Sequence, residues 1–469
     1  MNFPFVGGAY TGRSPAANAQ ECVNLFPQVD QEGGAVLSLY GTPGLETWLS
    51  GLDGPVRGMH VARGVLYVAA GDHLYRVTTS GAATSLGQFI ESQTAPVSIA
   101  DNGNEVLITD NIRGYIYDMG SDVFEAVRDG DFPVATSCCF IDGYFIVAQK
   151  LSQKFWISGL YDGHTWDGLD FAQAEGAPDQ IVRVVANHRE LWAFGEHSTE
   201  IYLNTGDSGF PFERISGGYM ETGCAAPWSV AVGDHALFWL SQDLRGQGLV
   251  YMARGYQPVR ISTHQIEHQI SQYSRISDAQ GFVYQDEGHT FYVLTFPTGD
   301  ATWAYDLATG MWHRRSSGLE GGRHLGAWHA FYGGQHLLGS AEAGKIYKQS
   351  LDVYGDDGDP IRRVRSTRTV NDEGRRVRFN ELRVDMEEGA GIASGQGADP
   401  QAMLEWSDDG GRTWSNEHWT GFGRQGQYGR RAVWRRLGMG RDRVFRVTIT
   451  DPVPVVITGA HLDARGGTS

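Results

Sequence analysis

The sequence predicts an all-β protein whose main part is a β-propeller. A unit of two β-rich runs around a Gly, Asp or Asn turn recurs at intervals of about forty residues. Apolar residues alternate through each unit, which is typical of antiparallel hairpins. Helical periodicity is sparse, and residues 264–276 hold its best example.

Seven such units can be aligned. They lie at 58–68, 97–108, 139–147, 182–194, 228–239, 281–294 and 328–338. A single small sheet cannot bury its own apolar face, so the units are expected to stack around an axis as blades. We count seven blades, and six is the alternative because an insertion at 265–277 can pad the sixth unit.

Residues 1–50 lack this rhythm and are interpreted as an extended N-terminal arm. They are dense in Gly and Pro, which interrupt regular structure. A ring of blades is stabilised when a strand from the other end of the chain completes its last sheet. The β-rich run at 36–40 is the candidate for that closing strand.

The arm also supplies candidate docking residues. Segments with little local structure gain order by lying on a neighbour, and aromatic residues and Arg dominate interface energetics. Tyr10, Arg13 and Phe26 are therefore the candidates for contacts with a partner or a second copy of the chain. Packing within the chain is the equal alternative for each of them.

The chain changes character after the propeller. The acidic stretch at 354–360 is interpreted as a solvated linker. Beyond it, 377–386 and 444–450 alternate cleanly, which predicts a small antiparallel β-sandwich. The expected organisation is an arm at 1–50, a propeller at 51–360 and a sandwich at 361–469.

The formal net charge of −17 bears on partners. Proteins that grip nucleic acid through its phosphates use clustered Lys and Arg, so this balance argues against a DNA clamp. An acidic wall does not hold a polyanion, which suits a conduit for DNA. Ordinary solubility is the equal alternative.

The four cysteines show no metal-ligand or redox spacing. Cys138 and Cys139 are expected to be buried thiols, and synthesis in a reducing compartment is favoured. The N-terminus has no signal-peptide pattern, and no apolar run approaches the ~18 residues that span a bilayer. We expect a soluble chain without a metal, a cofactor or membrane insertion.

Residues 407–414 read SDDGGRTW and resemble the Asp-box of sialidases and other propeller proteins. In such a hairpin turn, the Asp accepts hydrogen bonds from turn amides, glycine adopts positive φ and the Trp packs beneath. We interpret the motif as a structural turn formed by Ser407, Asp409, Gly411, Thr413 and Trp414. Trp414 and Trp419 are expected in the sandwich core.

A sialidase would also need an arginine cluster, an acid and a nucleophile. The nearest match to its Arg-Ile-Pro signature is at 214–216, where Ser216 replaces the proline. No residue is predicted to be catalytic, and the chain is not expected to be an enzyme. A sialidase-like propeller that cleaves or binds glycans remains the alternative.

Three groups of residues resemble the packaged-DNA stabilisation proteins of short-tailed bacteriophages, and they span nearly the whole chain. They are YTGRSP at 10–15 with NAQECVNLFP at 18–27 and LYGTPGL at 39–45, ISGLYDGHTWD at 157–167 with FAQAEG at 171–176, and SDDGGRTW at 407–414.

The resemblance implies a structural tail protein, called a tail hub or nozzle. Such proteins form a six-fold homo-oligomeric ring below the portal and its adaptor. The ring closes the DNA channel after packaging, lets double-stranded DNA pass at ejection, and provides attachment for a needle, spikes or fibres. The resemblance also implies a virion tail location after synthesis in the host cytoplasm.

Overall fold

The structure, a computed structural model, describes residues 2–14, 19–29, 36–90, 94–233 and 236–467. Seven antiparallel four-stranded blades follow one another, and their first strands pack side by side around an axis. This confirms the predicted propeller with seven blades. A β-sandwich follows it.

Blades one to four are single sheets of four consecutive strands. Their strands are Val56–Ala62, Val65–Ala70, His73–Val77 and Ala83–Gln88; Ser98–Asp101, Glu105–Thr109, Gly114–Asp118 and Val123–Ala126; Ala135–Ile141, Tyr144–Gln149, Lys154–Gly159 and Asp162–Gln173; and Ile181–Asn187, Glu190–Gly195, Thr199–Asn204 and Phe212–Met220.

Blades five to seven complete the ring. Their strands are Ala231–Gly233, Ala236–Gln242, Gly248–Arg254 and Gln257–Arg260; Gln280–Asp286, His289–Phe296, Ala301–Asp306 and Met311–Arg315; and Gly326–Tyr332, Gln335–Ser340 and Lys345–Ser350, joined by Gly44–Ser50 from the N-terminal region.

Tight turns explain why the blade hairpins are visible in the sequence. In five blades the first and second strands are joined by two residues that both have positive φ, the geometry of a type I′ turn. These turns are Arg63-Gly64, Asp142-Gly143, His188-Arg189, Glu287-Gly288 and Gly333-Gly334.

The predicted closing strand was wrong. Gly44–Ser50, and not 36–40, pairs with Lys345–Ser350 and completes blade seven. Val36–Gly41 lies instead between Leu25–Val29 and Val456–Gly466 in the sandwich. Both runs are rich in β-forming residues, so their different partners are set by long-range packing rather than by local propensity.

The sandwich includes strands from the N-terminal region. One sheet contains Ala432–Arg435, Val377–Met386, Val456–Gly466, Val36–Gly41 and Leu25–Val29, with Asn2–Phe3 and Met439–Gly440 at its sides. The second contains Arg363–Ser366, Val444–Ile449, Gln401–Ser407 and His418–Gly421. Phe5, Cys22, Leu25 and Leu39 are buried in the core of the sandwich.

One sheet runs without a break from the propeller into the sandwich. Cys22–Val23 lies between Met311–Arg315 of blade six and Arg363–Ser366 of the sandwich. The result is a nine-stranded sheet. The N-terminal strands therefore couple the two parts of the molecule through backbone hydrogen bonds.

The stretch expected to be a solvated linker is folded. Gly355–Asp356 pairs with Asp359–Pro360 and with the closing strand. Asp356 is buried, so the interpretation as a solvated segment was wrong. The acidic composition of the stretch predicts that it is exposed, but the closing strand covers Asp356.

Little helix is present. The described residues contain one α-helix, His264–Ile270, which is shorter than its predicted range, and one 3-10 turn, Pro227–Ser229. A two-stranded hairpin of Tyr10–Thr11 and Ala19–Gln20 lies near the N-terminus. Within the described ranges, no helix is long and apolar enough to cross a membrane.

Candidate docking surface

The N-terminal segment is fastened to the sandwich by a buried arginine. The Nε of Arg365 donates to the carbonyl oxygen of Phe5 at 2.6 Å, and its Nη1 donates to those of Gly8 at 3.0 Å and Glu21 at 3.2 Å. Charge-assisted bonds of this kind are strong. The segment that carries Tyr10 is therefore positioned by the fold.

A groove of about 370 Å³ lies beside this segment. We call it the arm groove. Its walls include Tyr10, Thr263, Met311, Trp312, Arg365 and Arg368. Tyr10 is 40% exposed, and Arg13 lies exposed in the following bend. Both side chains are accessible to a partner.

Phe26 does not belong to that surface. It is 4% exposed, and its ring packs edge-on against Phe291 and His289 with centroid distances of 5.3 and 5.2 Å. Leu45 of the closing strand belongs to the same cluster. Burial leaves Phe26 almost no surface for a partner, which corrects its prediction as a docking residue.

The SDDGGRTW segment forms a closed hydrogen-bonded turn. Asp409 accepts from the backbone N–H of Arg412 and of Thr413 at 2.9 Å each, and from the Thr413 hydroxyl at 2.6 Å. The Ser407 hydroxyl donates to Asp409 at 2.7 Å. These bonds, the Thr413 hydroxyl first, lower the pKa of Asp409 well below its usual range.

The turn packs against the sandwich and the N-terminal segment. Gly410 and Gly411 have φ of 77° and 94°, values that residues with a side chain rarely adopt. The Arg446 guanidinium lies 3.8 Å from the centroid of the Trp414 ring. A Cβ on Gly411 would lie 3.6 Å from that of Ala19. The Asp409 carboxylate of the turn therefore has a structural role.

Trp419 was expected in the core, yet it is 56% exposed. It lies on the edge strand His418–Gly421, where His418 and Trp419 are both exposed. Tyr428, which the sequence reasoning missed, is 78% exposed in the loop that follows. Exposed aromatic rings on an edge strand and its loop are typical of an interaction surface.

The sequence around these two aromatic residues is rich in arginine. Residues 418–441 contain six arginines and no Asp or Glu, a signal that the sequence already carries. Arg424, Arg430, Arg431, Arg435 and Arg436 are all exposed. We call Trp419, Tyr428, Arg424, Arg430 and Arg431 the sandwich patch.

Charge is divided unevenly between the two parts of the chain. Residues 361–469 hold 18 of the 38 basic residues but only 14 of the 55 acidic ones. The sandwich is therefore basic, whereas the rest of the chain carries the whole negative balance. Opposite potentials on two parts of one subunit favour contacts between unlike surfaces.

One group of possible metal ligands occurs among the described residues. Ligand atoms of Glu105, Asp118 and His164 lie within 4.8 Å of one another. Glu105 already accepts from the backbone N–H of Gly163 at 2.8 Å, which joins blades two and three. Asp118 accepts from the N–H of Ser121 at 2.8 Å. These roles are structural, and we assign no metal here.

The fold defines a class of protein: a β-propeller joined to a β-sandwich through one continuous sheet. A family model described as bacteriophage P22 Gp10, beta-propeller, matches residues 1–354, and one described as bacteriophage P22 Gp10, beta-sandwich, matches residues 362–465. The chain belongs to the P22 Gp10 family of phage tail and DNA-stabilisation proteins. Its members are structural phage proteins.

No curated protein matches the sequence significantly. Among solved structures, a streptogramin B lyase is similar at 11% identity and a TM-score of 0.45, covering 66% of this chain and 98% of that one. The computationally designed protein Ika8 is similar at 14% identity and a TM-score of 0.41, covering 70% and 99%.

Proposed function

We propose that this chain is the subunit of a six-fold ring that forms the tail hub of a short-tailed phage, below the portal and its adaptor. The observation that carries the proposal is family membership across both the propeller and the sandwich. A hub needs a subunit of fixed shape. A closed ring of blades that shares a sheet with the sandwich supports that role.

Contacts between subunits are proposed to join the sandwich patch of one copy to the acidic propeller of the next. The uneven division of charge supports this arrangement, since it makes one surface complementary to another on the same chain. A contact between two different surfaces of identical subunits generates a ring when the rotation closes.

The hub is further proposed to close the DNA channel after packaging and to let DNA pass at ejection. The acidic balance of the chain supports passage without retention, because DNA binding draws on clustered Lys and Arg. The arm groove, with Tyr10 and Arg13 beside it, is the proposed contact for the adaptor. Needle, spikes or fibres attach elsewhere on the ring.

The glycan alternative has no specific support. Its motif, the turn at 407–414, commits the Asp409 carboxylate to four hydrogen bonds within the turn. A glycan-cleaving enzyme requires a free acid and a nucleophile facing one substrate. We therefore retain the structural role as the proposed function.

Mass measurement in solution tests the ring. The purified chain, alone and mixed with the adaptor ring of the same phage, should be analysed by sedimentation velocity and native mass spectrometry. We expect a six-fold species, formed alone or on the adaptor. A chain that stays monomeric under both conditions contradicts the proposal.

A variant pair tests the sandwich patch. Removing both rings by Trp419→Ala and Tyr428→Ala should weaken ring formation at least tenfold, because exposed aromatics dominate interface energetics. Leu244→Ala, which removes a 98% exposed side chain on blade five, is the matched control and should assemble normally. Equal assembly by both variants would exclude the patch from the contact.

A further inference from the structure

The propeller axis holds a partly open cavity of about 170 Å³. Residues of blades one, two, four, six and seven line it, together with Trp228 and Val230 from the segment before blade five, which places it at the centre of the ring. Its wall combines polar groups with apolar and aromatic side chains, among them Met59, Ile99, Phe282, Trp228 and Trp328. Such a cavity has room for several water molecules or one small ligand.

Arg183, on the first strand of blade four, is the one permanently charged side chain in this wall. Its guanidinium carbon lies 4.5 Å from the centroid of the Trp228 ring. Its Nε and Nη1 atoms are buried, and neither has a hydrogen-bond acceptor among the described residues. Trp328 Nε1, a second donor in the wall, likewise lacks an acceptor there.

No acid among the described residues compensates this charge. The groups that act on Arg183 electrostatically are Cys138, Cys224 and Cys139. Burial raises the pKa of Cys138 to about 11 and that of Cys224 to about 12, and it raises the pKa of Cys139 further. All three are neutral thiols at pH 7, so they leave the guanidinium charge uncompensated.

The other titratable groups near the cavity do not compensate it either. His329 in the wall shares a 3.0 Å hydrogen bond with His336, and burial lowers the pKa of His329 to about 3, so it is neutral. Asp101, on the first strand of blade two, is 2.6 Å from Nε2 of His60. It is thus already paired with another side chain.

Proteins pair a buried charge with a counter-charge, because an uncompensated ion in a low-dielectric interior is costly. The face of Trp228 stabilises the guanidinium by a cation–π contact but does not neutralise it. We propose that the axial cavity binds one small oxyanion, such as phosphate or a small carboxylate, against Arg183. Partial removal of water from the site strengthens that attraction relative to bulk water.

Calorimetric titration tests the site and identifies the anion. The full chain, dialysed into a buffer without oxyanions, is titrated with inorganic phosphate and separately with acetate. We expect one saturable site per chain for at least one of the two anions. The anion that binds more tightly identifies the class of oxyanion. If neither binds, water solvates Arg183 and the proposal is overturned.

Two variants locate the binding. Arg183→Met should weaken binding at least tenfold, and Arg183→Lys, which keeps the charge, should retain it in weaker form. Arg189→Met is the matched control, since Arg189 follows the same strand but is 81% exposed and pairs with Asp142. Binding that is unchanged in Arg183→Met, or that is lost equally in the control, would overturn the assignment.

A measurement on the unmodified chain guards against misfolded variants. Crystals grown with selenate, an oxyanion with an anomalous signal, should show one anomalous peak within hydrogen-bond distance of Arg183. If phosphate binds in the titration, a selenate peak only at the protein surface, or none at all, would overturn the proposal. If only acetate binds, the absence of acetate density beside Arg183 in crystals grown with acetate would overturn it.

Discussion

At the scale of single residues, Asn24 joins three segments of the chain. Its Nδ2 donates to the carbonyl oxygens of Ser316, directly after blade six, and of Arg362, directly before the first sandwich strand, both at 2.9 Å. Its Oδ1 accepts from the backbone N–H of Ser316 at 2.9 Å. Asn24 has φ of 52°, a conformation in which asparagine is enriched.

Replacing Asn24 with alanine should destabilise the chain by about 3 kcal/mol. The change leaves buried hydrogen-bond donors and acceptors unpaired. It also places alanine at a positive φ, where its Cβ is strained and no side-chain hydrogen bond offsets that strain. Urea unfolding followed by tryptophan fluorescence measures the effect. Asn104→Ala, at an exposed position, is the control. Equal midpoints for the two variants would contradict the role given to Asn24.

Asp356 predicts a pH dependence. Burial raises its pKa from 3.8 to about 6, although Ser317, Arg315 and Arg363 favour the charged form. A raised pKa in the folded state gives stability that is present below the unfolded pKa and is lost as the pH rises through the folded one. This contribution therefore disappears between about pH 4 and pH 6.

Asp356→Asn removes that loss. An amide stays neutral and still offers an oxygen to the Ser317 hydroxyl, which donates to Asp356 at 2.9 Å. A shift of about two pKa units corresponds to roughly 3 kcal/mol. We expect the variant to show a higher Tm at pH 7.5 and a flatter profile from pH 4 to 7.

Thermal unfolding across that pH range is the measurement. Asp359→Asn changes an exposed carboxylate in the same hairpin and serves as the matched control. Should the control flatten the profile as much as Asp356→Asn does, the dependence has another source.

Single-residue environments were the least predictable feature from sequence. Phe26 has the character of an interface residue but is covered by blade six, and Trp419 has the character of a core residue but lies on an uncovered edge. Asp356 stands in an acidic run yet is buried. Burial depends on which distant segment arrives, and residue type does not encode that.

At the scale of secondary structure, local signals predicted the blade hairpins and the strand at 377–386, whose bounds agree with Val377–Met386. A hairpin is set by its turn and by alternation within a dozen residues. The closing strand was not predictable in this way. Residues 36–40 and 44–50 carry similar β-forming composition, and each pairs with a strand about 300 or more positions away.

The closing strand depends on a glycine at its first residue. Gly44 N–H donates to the Val353 carbonyl oxygen at 2.9 Å, and a Cβ there would overlap the carbonyl oxygens of Val353 and Gly355. Gly44→Ala should lower stability by about 1–3 kcal/mol, the usual cost of overpacking. Thermal unfolding measures it.

Gly130→Ala is the matched control for this change. A Cβ on Gly130 meets no atom within 4 Å, and its φ is not positive. The control should unfold close to the unmodified chain. If Gly44→Ala does the same, the closing strand tolerates a side chain at its start and the argument from close packing fails.

At the scale of the whole molecule, the nine-stranded sheet makes the propeller and the sandwich interdependent. Cys22–Val23 bonds to both parts, and Phe5, Leu25 and Leu39 complete the sandwich core. The division of the chain into domains at residues 50 and 360 remains a prediction. Unfolding either part exposes strands that the other part covers.

We therefore expect one cooperative thermal transition for the full chain. Differential scanning calorimetry should give a single peak whose calorimetric and van't Hoff enthalpies agree. Asn24→Ala, which weakens the junction from the inside, should lower that peak or split it in two, whereas Asn104→Ala should leave it unchanged. Two separate peaks for the unmodified chain would mean that the shared sheet does not couple the two parts, because independent units melt at their own temperatures.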